Sequence, residues 1–301
     1  MTARSPRRLG HYEVQSRLGE GGMGEVYLVK DRRDGHLAAL KLLAPALASS
    51  EEARTRFVAE GRLAQQVEHP SLVSVEDLDE VHLKGADRTL FMTMELAGGR
   101  ELLQILSVEE IPLAQVVAIT RDVLSALEAL HEAGYVHRDV KSANIKVGSD
   151  GRVKLLDLGL AAPPGAREPG VVGTLHYAAP EQLAGDPVDE AADVYSVGVV
   201  LYQMITGRLP FRGDSPDQVL SSIEGRRSKR LDRLVEGVPE EMQTLIDDMT
   251  ATTAAERPGT EEASARLEGL LGELESAVQD GDEAPPISRF KSWLRRRRRS
   301  G

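Results

Sequence analysis

The predicted secondary structure changes abruptly at Ala97-Gly98-Gly99, and this change constrains the fold more than any other feature of the sequence. Before it, short apolar and β-branched runs are separated by turn signals, and only residues 51–67 have helical spacing. After it, long amphipathic segments indicate helices. The sequence therefore predicts an α+β protein of two lobes, with an antiparallel sheet and one main helix in the N-terminal lobe and a mainly helical C-terminal lobe.

The predicted elements divide the chain as follows. Strands are predicted at residues 12–18, 24–30, 37–43, 72–78 and 89–96. Helices are predicted at residues 51–67, 114–133, 188–206, 216–223, 239–250 and 260–278. The domain boundaries that follow are a flexible lead (1–10), the N-lobe (11–96) and C-lobe (97–272) of one domain (11–272), a helix end with an acidic, proline-containing linker (273–288), and a basic tail (289–301).

Composition excludes several classes of function. The chain has no cysteine, so disulfides, thiolate metal sites and a cysteine nucleophile are all excluded. Its net charge is −11 even though residues 289–301 hold seven Lys or Arg and no acid, so the rest of the chain is unlike a general nucleic-acid binder. The stretch 194–205 is too short to span a bilayer, and residues 1–10 lack the apolar core of a signal peptide. We therefore expect a cytoplasmic location.

A glycine-rich motif, G-x-G-x-x-G, occurs at Gly19, Gly21 and Gly24. Alone it is a weak signal, because it fits a dinucleotide fold, a phosphate-covering hairpin or an ordinary flexible turn. Strands are predicted on both sides of it, whereas a dinucleotide motif would need a strand followed by a helix. The context favours a β-hairpin whose backbone N–H groups face phosphates.

Three further motifs follow in order. Residues 137–144 read HRDVKSAN, residues 157–159 read DLG, and residues 173–181 read GTLHYAAPE. With the glycine motif, they make the chain resemble a eukaryotic-type (Hanks-type) protein kinase, and in particular the bacterial serine/threonine protein kinases. The resemblance covers roughly residues 12–271. It implies Mg²⁺-ATP (or Mn²⁺-ATP) bound between the lobes and transfer of the γ-phosphoryl group to a protein serine or threonine.

The resemblance assigns roles residue by residue. Asp139 would orient the substrate hydroxyl and accept its proton, Lys141 would stabilise the transferring phosphoryl group, and Lys41 paired with Glu60 would hold the nucleotide phosphates. Asn144 and Asp157 would bind the metal, and Thr174 would position the substrate. The expected ATP-binding residues are Leu18, Gly19, Gly21, Gly24, Val26, Ala39, Lys41, Met94, Glu95, Ala97, Glu101 and Lys146. The expected structural residues are Asp193, as an anchor for the catalytic loop, and the ion pair of Glu181 with Arg257.

The chain departs from the family pattern at several positions. Leu158 replaces a phenylalanine, Ala64 replaces a larger apolar residue, and Lys146 replaces the apolar residue beneath the adenine ring. Ser142 replaces a common proline, with little expected consequence. Residues 158–172 contain no Ser, Thr or Tyr, so the arginine at 138 has no usual phosphate to bind; Glu168 offers a permanent negative charge, and an alternative is that the segment needs no anion.

Three functional readings remain open. A serine/threonine protein kinase in bacterial-type signalling is favoured, with a weakly catalytic pseudokinase scaffold as the alternative. A small-molecule kinase is disfavoured, because the GT…APE segment shapes a peptide site. The tail combines Phe290 and Trp293 with five consecutive arginines, so we expect a solvated tail, an anionic membrane surface or an acidic partner, and no transmembrane segment of the receptor type. Nucleic acid as a partner is disfavoured.

Overall fold

The computed structural model describes residues 7–82, 88–166, 175–225 and 230–279; the side chains of 273–279 are outside this description. The chain divides into two compact units. The first comprises Met1–Gly98 with Leu156–Gly159, and the second comprises Gly99–Leu155 with Leu160–Gly301. An N-terminal antiparallel sheet with a helix, followed by a mainly helical second unit, agrees with the predicted α+β class.

The first unit is built on a six-stranded antiparallel sheet. Its strands are β1 (Arg8–Leu9), β2 (Tyr12–Gly21), β3 (Gly24–Asp31), β4 (Leu37–Leu43), β5 (Val75–His82) and β6 (Arg88–Glu95), in the order β1-β2-β3-β4-β6-β5. The main helix, α1 (Glu51–Gln66), begins where the hydroxyl of Ser50 accepts a hydrogen bond from the Ala53 N–H, and two glutamates occupy its first turn. One face of the sheet buries an apolar cluster that includes Tyr27, Leu40 and Phe91.

Strand β2 extends three residues beyond its predicted end, and larger differences occur at β1 and β5. The predicted flexible lead to residue 10 is wrong at its C-terminal end, because Leu9 is fully buried and Arg8–Leu9 pairs with β2. One buried leucine within a basic run gives no alternation to detect. The strand predicted at 72–78 is found at Val75–His82, since β5 lies at the sheet edge, where exposed acidic residues are tolerated.

The second unit is mainly helical. Its helices are α2 (Leu102–Val108), α3 (Leu113–Glu132), α4 (Pro180–Ala184), α5 (Ala191–Thr206), α6 (Pro216–Glu224), α7 (Glu240–Met249) and α8 (Thr260–Gln279). A small sheet joins β7 (Arg100–Glu101), β8 (Ile145–Val147) and β9 (Val153–Leu155). The sequence analysis misses α2, α4 and these three strands, each of which is seven residues or shorter.

Helix α5 forms the centre of the second unit. Every residue from Ala192 to Thr206 is buried, including the polar residues Asp193, Ser196 and Gln203. Helix α3 buries one face against it, with Val117, Leu124 and Leu130 fully covered. Because a buried polar side chain needs hydrogen-bond partners, the polar positions of α5 mark places where the helix holds other segments.

No helix within the described part of the chain has the length and apolar character required to cross a bilayer. The linker (280–288), the basic tail (289–301), Glu168 and Thr174 lie outside the described residues.

Candidate active site

In the first unit, Lys41 is surrounded by two carboxylates. Lys41 lies on β4, and its Nζ is 2.7 Å from Oε1 and 2.9 Å from Oε2 of Glu60, which projects from α1. The same Nζ is 3.0 Å from Oδ1 of Asp157. The side chains of Lys41 and Glu60 are 12% and 6% exposed, whereas that of Asp157 is 47% exposed. The strand, the helix and the segment 156–159 thus bring together three residues that the sequence analysis places at one site.

Electrostatics keep Lys41 charged in this position. Burial by itself lowers the pKa of the Lys41 ammonium, but the negative charges of Glu60 and Asp157 outweigh it and raise the pKa above its usual value. A permanently charged ammonium held against solvent is suited to binding phosphate oxygens. Leu158, beside Asp157, is 2% exposed, so leucine here occupies a buried position of the kind expected for the family's phenylalanine.

Gly159 lies close to this arrangement. A Cβ at this position would lie 3.1 Å from Oδ1 of Asp157 and 3.2 Å from Oε2 of Glu60. A side chain at 159 would need these two oxygens, which belong to the groups around Lys41, to shift by a few tenths of an ångström. Glycine at the third position of the DLG motif avoids this close approach.

The glycine-rich hairpin joins β2 to β3, with Gly19 opposite Val26 and Gly21 opposite Gly24. Its glycines differ in what surrounds them. A Cβ on Gly24 would lie 1.9 Å from the Leu42 carbonyl oxygen of the paired strand β4, so Gly24 is needed for the sheet itself. A Cβ on Gly19 or Gly21 would meet nothing within 4 Å. Packing within the first unit therefore does not require glycine at these two positions.

The remaining predicted nucleotide residues of the first unit lie on neighbouring strands or just after them. Ala39 on β4 is buried and stands opposite Met94 of β6. Leu18 is 48% exposed, while Val26, Met94, Glu95 and Ala97 are partly buried. The Glu95 carboxylate accepts a hydrogen bond from the Ser74 N–H at 3.0 Å, so this side chain joins the end of β6 to the residue that precedes β5.

In the second unit, Asp139 lies at the centre of a hydrogen-bonded group. Its Oδ2 is 2.6 Å from Nζ of Lys141 and 2.9 Å from Nδ2 of Asn144, which also donates to the Asp139 carbonyl at 3.0 Å. The side chains of Asp139 and Lys141 are 11% and 18% exposed. The loop thus presents one carboxylate, one ammonium and one amide within a few ångströms.

Asp193 holds this loop in place. The fully buried carboxylate on α5 accepts the N–H of His137 and the N–H of Arg138, each at 2.8 Å, and contacts Nε2 of His131 at 2.8 Å. Two backbone donors on one carboxylate fix the direction in which the chain enters the loop. The sequence analysis expects an anchor of this kind at 193.

Arg138 has an unusual backbone conformation, with φ of 65°. Asp157, at 63°, is the other non-glycine residue with positive φ within the described ranges. Such a conformation costs about 1–3 kcal/mol and persists where the surroundings hold it. Around Arg138 these are the Asp193 carboxylate on its N–H, the Gln182 amide on its carbonyl at 3.0 Å, and the Leu160 carbonyl, which accepts from its Nε at 2.9 Å.

Glu181 and Arg257 form a bidentate ion pair. Nη1 of Arg257 is 2.6 Å from Oε1 and Nη2 is 2.8 Å from Oε2 of Glu181, and the Arg257 side chain is fully buried. The guanidinium also donates to the carbonyls of Ala191 and Ala251 and lies 5.0 Å from the centroid of the Tyr195 ring. This pair joins α4 to the segment that precedes α8.

Glu101 and Lys146 stand opposite each other on β7 and β8, and both are partly buried. Lys154 of β9 faces Lys146 from the other side. Lys146 is therefore a strand residue with a lysine neighbour, at the position that the sequence analysis singles out beneath the adenine ring.

Sequence reasoning misses three residues near the loop. Ser142 is treated there as a neutral replacement, yet its hydroxyl is buried and bonded to Tyr177. Gln182 bridges Arg138 to Ala179. The signals in the sequence are the departure from proline at 142 and a polar residue two positions after Pro180.

Known proteins resemble this chain strongly. The family described as "Protein kinase domain" matches residues 12–266. A probable serine/threonine-protein kinase of Corynebacterium efficiens is 40% identical over 68% of this chain, and serine/threonine-protein kinase PknA of Mycobacterium tuberculosis is 39% identical over 68%. Serine/threonine-protein kinase PknL of Mycobacterium tuberculosis is 38% identical over 87%. The chain spans 32%, 49% and 66% of the lengths of these three relatives, respectively.

Proposed function

Because the chain belongs to the protein kinase family, we propose that it is an ATP-dependent serine/threonine protein kinase. It transfers the γ-phosphoryl group of ATP to the hydroxyl of a protein serine or threonine. The observation that carries this proposal is the group formed by Asp139, Lys141 and Asn144, a carboxylate held by an ammonium and an amide on an anchored loop. Phosphoryl transfer needs mostly positioning and charge stabilisation, which such a loop supplies.

The substrate oxygen forms a bond to the γ-phosphorus, the bond from that phosphorus to the β–γ bridging oxygen breaks, and ADP leaves with the electron pair. The hydroxyl proton goes to the carboxylate of Asp139, and the ammonium of Lys141 stabilises the charge on the transferring group. In the first unit, Lys41 binds phosphate oxygens, with Glu60 holding its ammonium in place.

The donor set fits a divalent cation of the kind that kinases use. Asn144 uses its amide nitrogen as the donor to Asp139, which leaves its oxygen as the possible ligand, and Asp157 presents a half-exposed carboxylate. Carboxylate and amide oxygens are ligands that Mg²⁺ accepts. Asn144 and Asp157 would hold Mg²⁺ or Mn²⁺, which supplies neutralisation of charge on the phosphate oxygens when bound.

Nucleotide recognition is proposed for the remaining residues. Gly19 and Gly21 allow backbone N–H groups to approach the phosphates, while Val26 and Ala39 cover the adenine ring. Met94 lies behind that ring, and the backbones of Glu95 and Ala97 bond to it. Leu18, Glu101 and Lys146 complete the set, and Thr174 positions the substrate hydroxyl.

The choice of serine or threonine over tyrosine is supported by Lys141 and by the relatives, whose names describe serine/threonine-protein kinases. The pseudokinase alternative depends on Lys146 and on Ala64, whose small side chain would loosen the packing of α1. Against it stands the ion pair between Lys41 and Glu60, which a loosely packed α1 would not be expected to keep.

The test of the function is Mg²⁺-dependent autophosphorylation and phosphorylation of a generic serine peptide, measured for the wild type and for Asp139→Asn. We expect Asp139→Asn to lose transfer by a factor of about 10² to 10⁴, since a positioned base contributes about that much. Asp217→Asn, the same isosteric change on the exposed face of α6, is the matched control. A wild type without transfer, or an Asp139→Asn variant with wild-type transfer, would overturn the proposal.

A second proposal concerns partners and place in the cell. The basic tail attracts an anionic surface, either the membrane face or an acidic protein, and the catalytic part of the chain acts in the cytoplasm. Its support is the sequence alone: seven basic residues beside two aromatics.

A further inference from the structure

Ser142 connects the catalytic loop to a segment far along the chain. Its side chain is fully buried, and its Oγ is 2.9 Å from the hydroxyl oxygen of Tyr177. Ser142 lies three residues after Asp139 and begins the short 3-10 turn that ends at Asn144. A proline here, as the family resemblance expects, would carry no hydroxyl and could not make this bond. The expectation that Ser142 has little consequence is therefore not what the structure indicates.

Tyr177 is held on α5 at both of its ends. Its hydroxyl donates to Oε1 of Gln203 at 2.8 Å, and its backbone carbonyl accepts from the hydroxyl of Ser196 at 2.8 Å. Ser196 and Gln203 are seven residues apart, so they lie on one face of the helix, two turns apart. The position of Tyr177 is thus set by a helix that is itself buried.

The direction of the hydrogen bonds follows from the donors available. A phenol has one proton, and the carbonyl oxygen of Gln203 can only accept, so that proton is used there. Burial raises the pKa of Tyr177, and the phenol therefore stays protonated at neutral pH. The proton between Ser142 and Tyr177 must then come from the serine. The chain of donors runs from Ser142 to Tyr177 to Gln203.

We propose that Ser142 is a positioning residue for the protein substrate, acting through Tyr177 on the segment that leads into α4. This inference rests on the proposed kinase function. The segment 175–179 ends at Ala179, where α4 and its Ala-Pro-Glu sequence begin, and in the family resemblance it shapes the peptide site. By holding this segment to the loop that carries Asp139, the serine hydroxyl sets where the substrate hydroxyl is presented to that carboxylate.

A second bridge explains why the effect should fall on the substrate and not on the fold. Gln182 accepts the N–H of Ala179 at 3.0 Å and donates to the carbonyl of Arg138 at 3.0 Å. The segment therefore stays attached to the loop when the serine bond is lost. In Ser142→Ala, Tyr177 keeps Gln203 as its acceptor, so no buried donor is left without a partner.

The first experiment measures steady-state kinetics of Ser142→Ala with a serine peptide and with ATP. We expect the KM for peptide to rise about three- to tenfold, the range that one lost hydrogen bond corresponds to. The KM for ATP and ATP hydrolysis without peptide should stay unchanged. Ser222→Ala is the matched control, because it also removes a buried serine hydroxyl, here one on α6, and it should change neither KM.

The second experiment tests whether the serine acts through Tyr177. Tyr177→Phe should raise the KM for peptide by a similar factor, and Ser142→Ala combined with Tyr177→Phe should be no worse than the larger single effect. Tyr177→Phe also serves if Ser142→Ala fails to fold. An unchanged KM for peptide in both single variants, a fall in kcat with both KM values unchanged, or additive effects would overturn the inference. Absence of transfer in the wild type would overturn the proposed function instead.

Discussion

Glu60 accepts two hydrogen bonds from the single ammonium of Lys41, at 2.7 and 2.9 Å, and both side chains are nearly excluded from water. Each is therefore the main counter-charge of the other. When one partner of a buried pair is removed, the other keeps its desolvation cost and loses its compensation. Glu60 can avoid this cost by taking up a proton when Lys41 is removed. Burial already raises the pKa of its carboxyl, and the charge of Lys41 opposes that rise.

Lys41→Met should abolish phosphoryl transfer while the protein remains folded, because Glu60 can take up a proton when its partner is gone. The measurement is phosphorylation of a generic peptide together with the far-UV circular dichroism spectrum. Lys30→Met, on the exposed face of β3, is the matched control and should keep its activity. Near wild-type transfer by Lys41→Met would show that the site is assigned wrongly.

Substitution by alanine should impair ATP binding at Gly21 but lower the stability of the fold at Gly24. Gly21→Ala has open space around the new methyl group, so we expect an unchanged Tm and a raised KM for ATP. Gly24→Ala places its methyl 1.9 Å from the Leu42 carbonyl, so β3 and β4 must separate and the Tm should fall. Thermal unfolding and nucleotide kinetics on both variants check this. Similar losses of stability in the two would contradict the distinction.

Glu181→Gln should destabilise the second unit strongly, because it leaves the fully buried Arg257 guanidinium without its counter-charge. We expect a loss of about 3 kcal/mol in the free energy of unfolding. Glu241→Gln removes a partner of Arg266 that is 49% exposed and should cost about 1 kcal/mol or less. Denaturant titration of the two variants compares them. Equal losses would mean that burial does not decide the effect.

Activity should not depend on phosphorylation between Asp157 and Val172, since residues 158–172 offer no hydroxyl. Protein expressed without other kinases and treated with phosphatase should retain its peptide activity. The Arg138 guanidinium already donates to the Leu160 carbonyl, which gives it a role without a phosphate. An enzyme that stays silent until Thr174 is phosphorylated would refute this. Glu168→Gln should lower activity only if Arg138 uses that charge.

Removal of residues 289–301 should leave the rate on a soluble peptide nearly unchanged and abolish salt-sensitive sedimentation with anionic vesicles. Each basic residue near such a surface contributes about 1 kcal/mol, and salt screens the attraction. Vesicles of neutral lipid are the control. Equal sedimentation of the full and truncated chains would eliminate the membrane proposal, and a large fall in peptide phosphorylation would point to docking of the tail on the kinase itself.

The sequence predicts the elements with strong periodicity well. Strand β4 is found at its predicted bounds, and α1 and α3 end within one residue of theirs. Prediction fails where the signal lies in three dimensions. The edge strand β5 carries acids that hide its alternation, and β8 and β9, at three residues each, are too short to show any.

The same limit applies to the candidate site. Motif spacing assigns Asp139, Lys141 and Asn144 to one site. In the structure, the side chains of Lys141 and Asn144 both donate to the Asp139 carboxylate. Ser142, Tyr177 and Gln203 could not be joined in advance, because their bonds span 35 and 26 residues of sequence and leave no periodic pattern. Buried polar networks of this kind are visible only once the chain is folded.

Helix α5 fixes the distance between two segments that it binds, the catalytic loop and the segment that carries Tyr177. Asp193, Ser196 and Gln203 sit on it at fixed intervals, and the first holds the catalytic loop while the other two hold Tyr177. From Asp193 to Gln203 the rise is about 15 Å, set by the 1.5 Å step of an α-helix. One residue inserted between Asp193 and Gln203 would rotate Gln203 by about 100° around the helix axis and move it about 1.5 Å further along. Substitution of one apolar side chain of α5 by another keeps this geometry, whereas a change in the length of the helix does not.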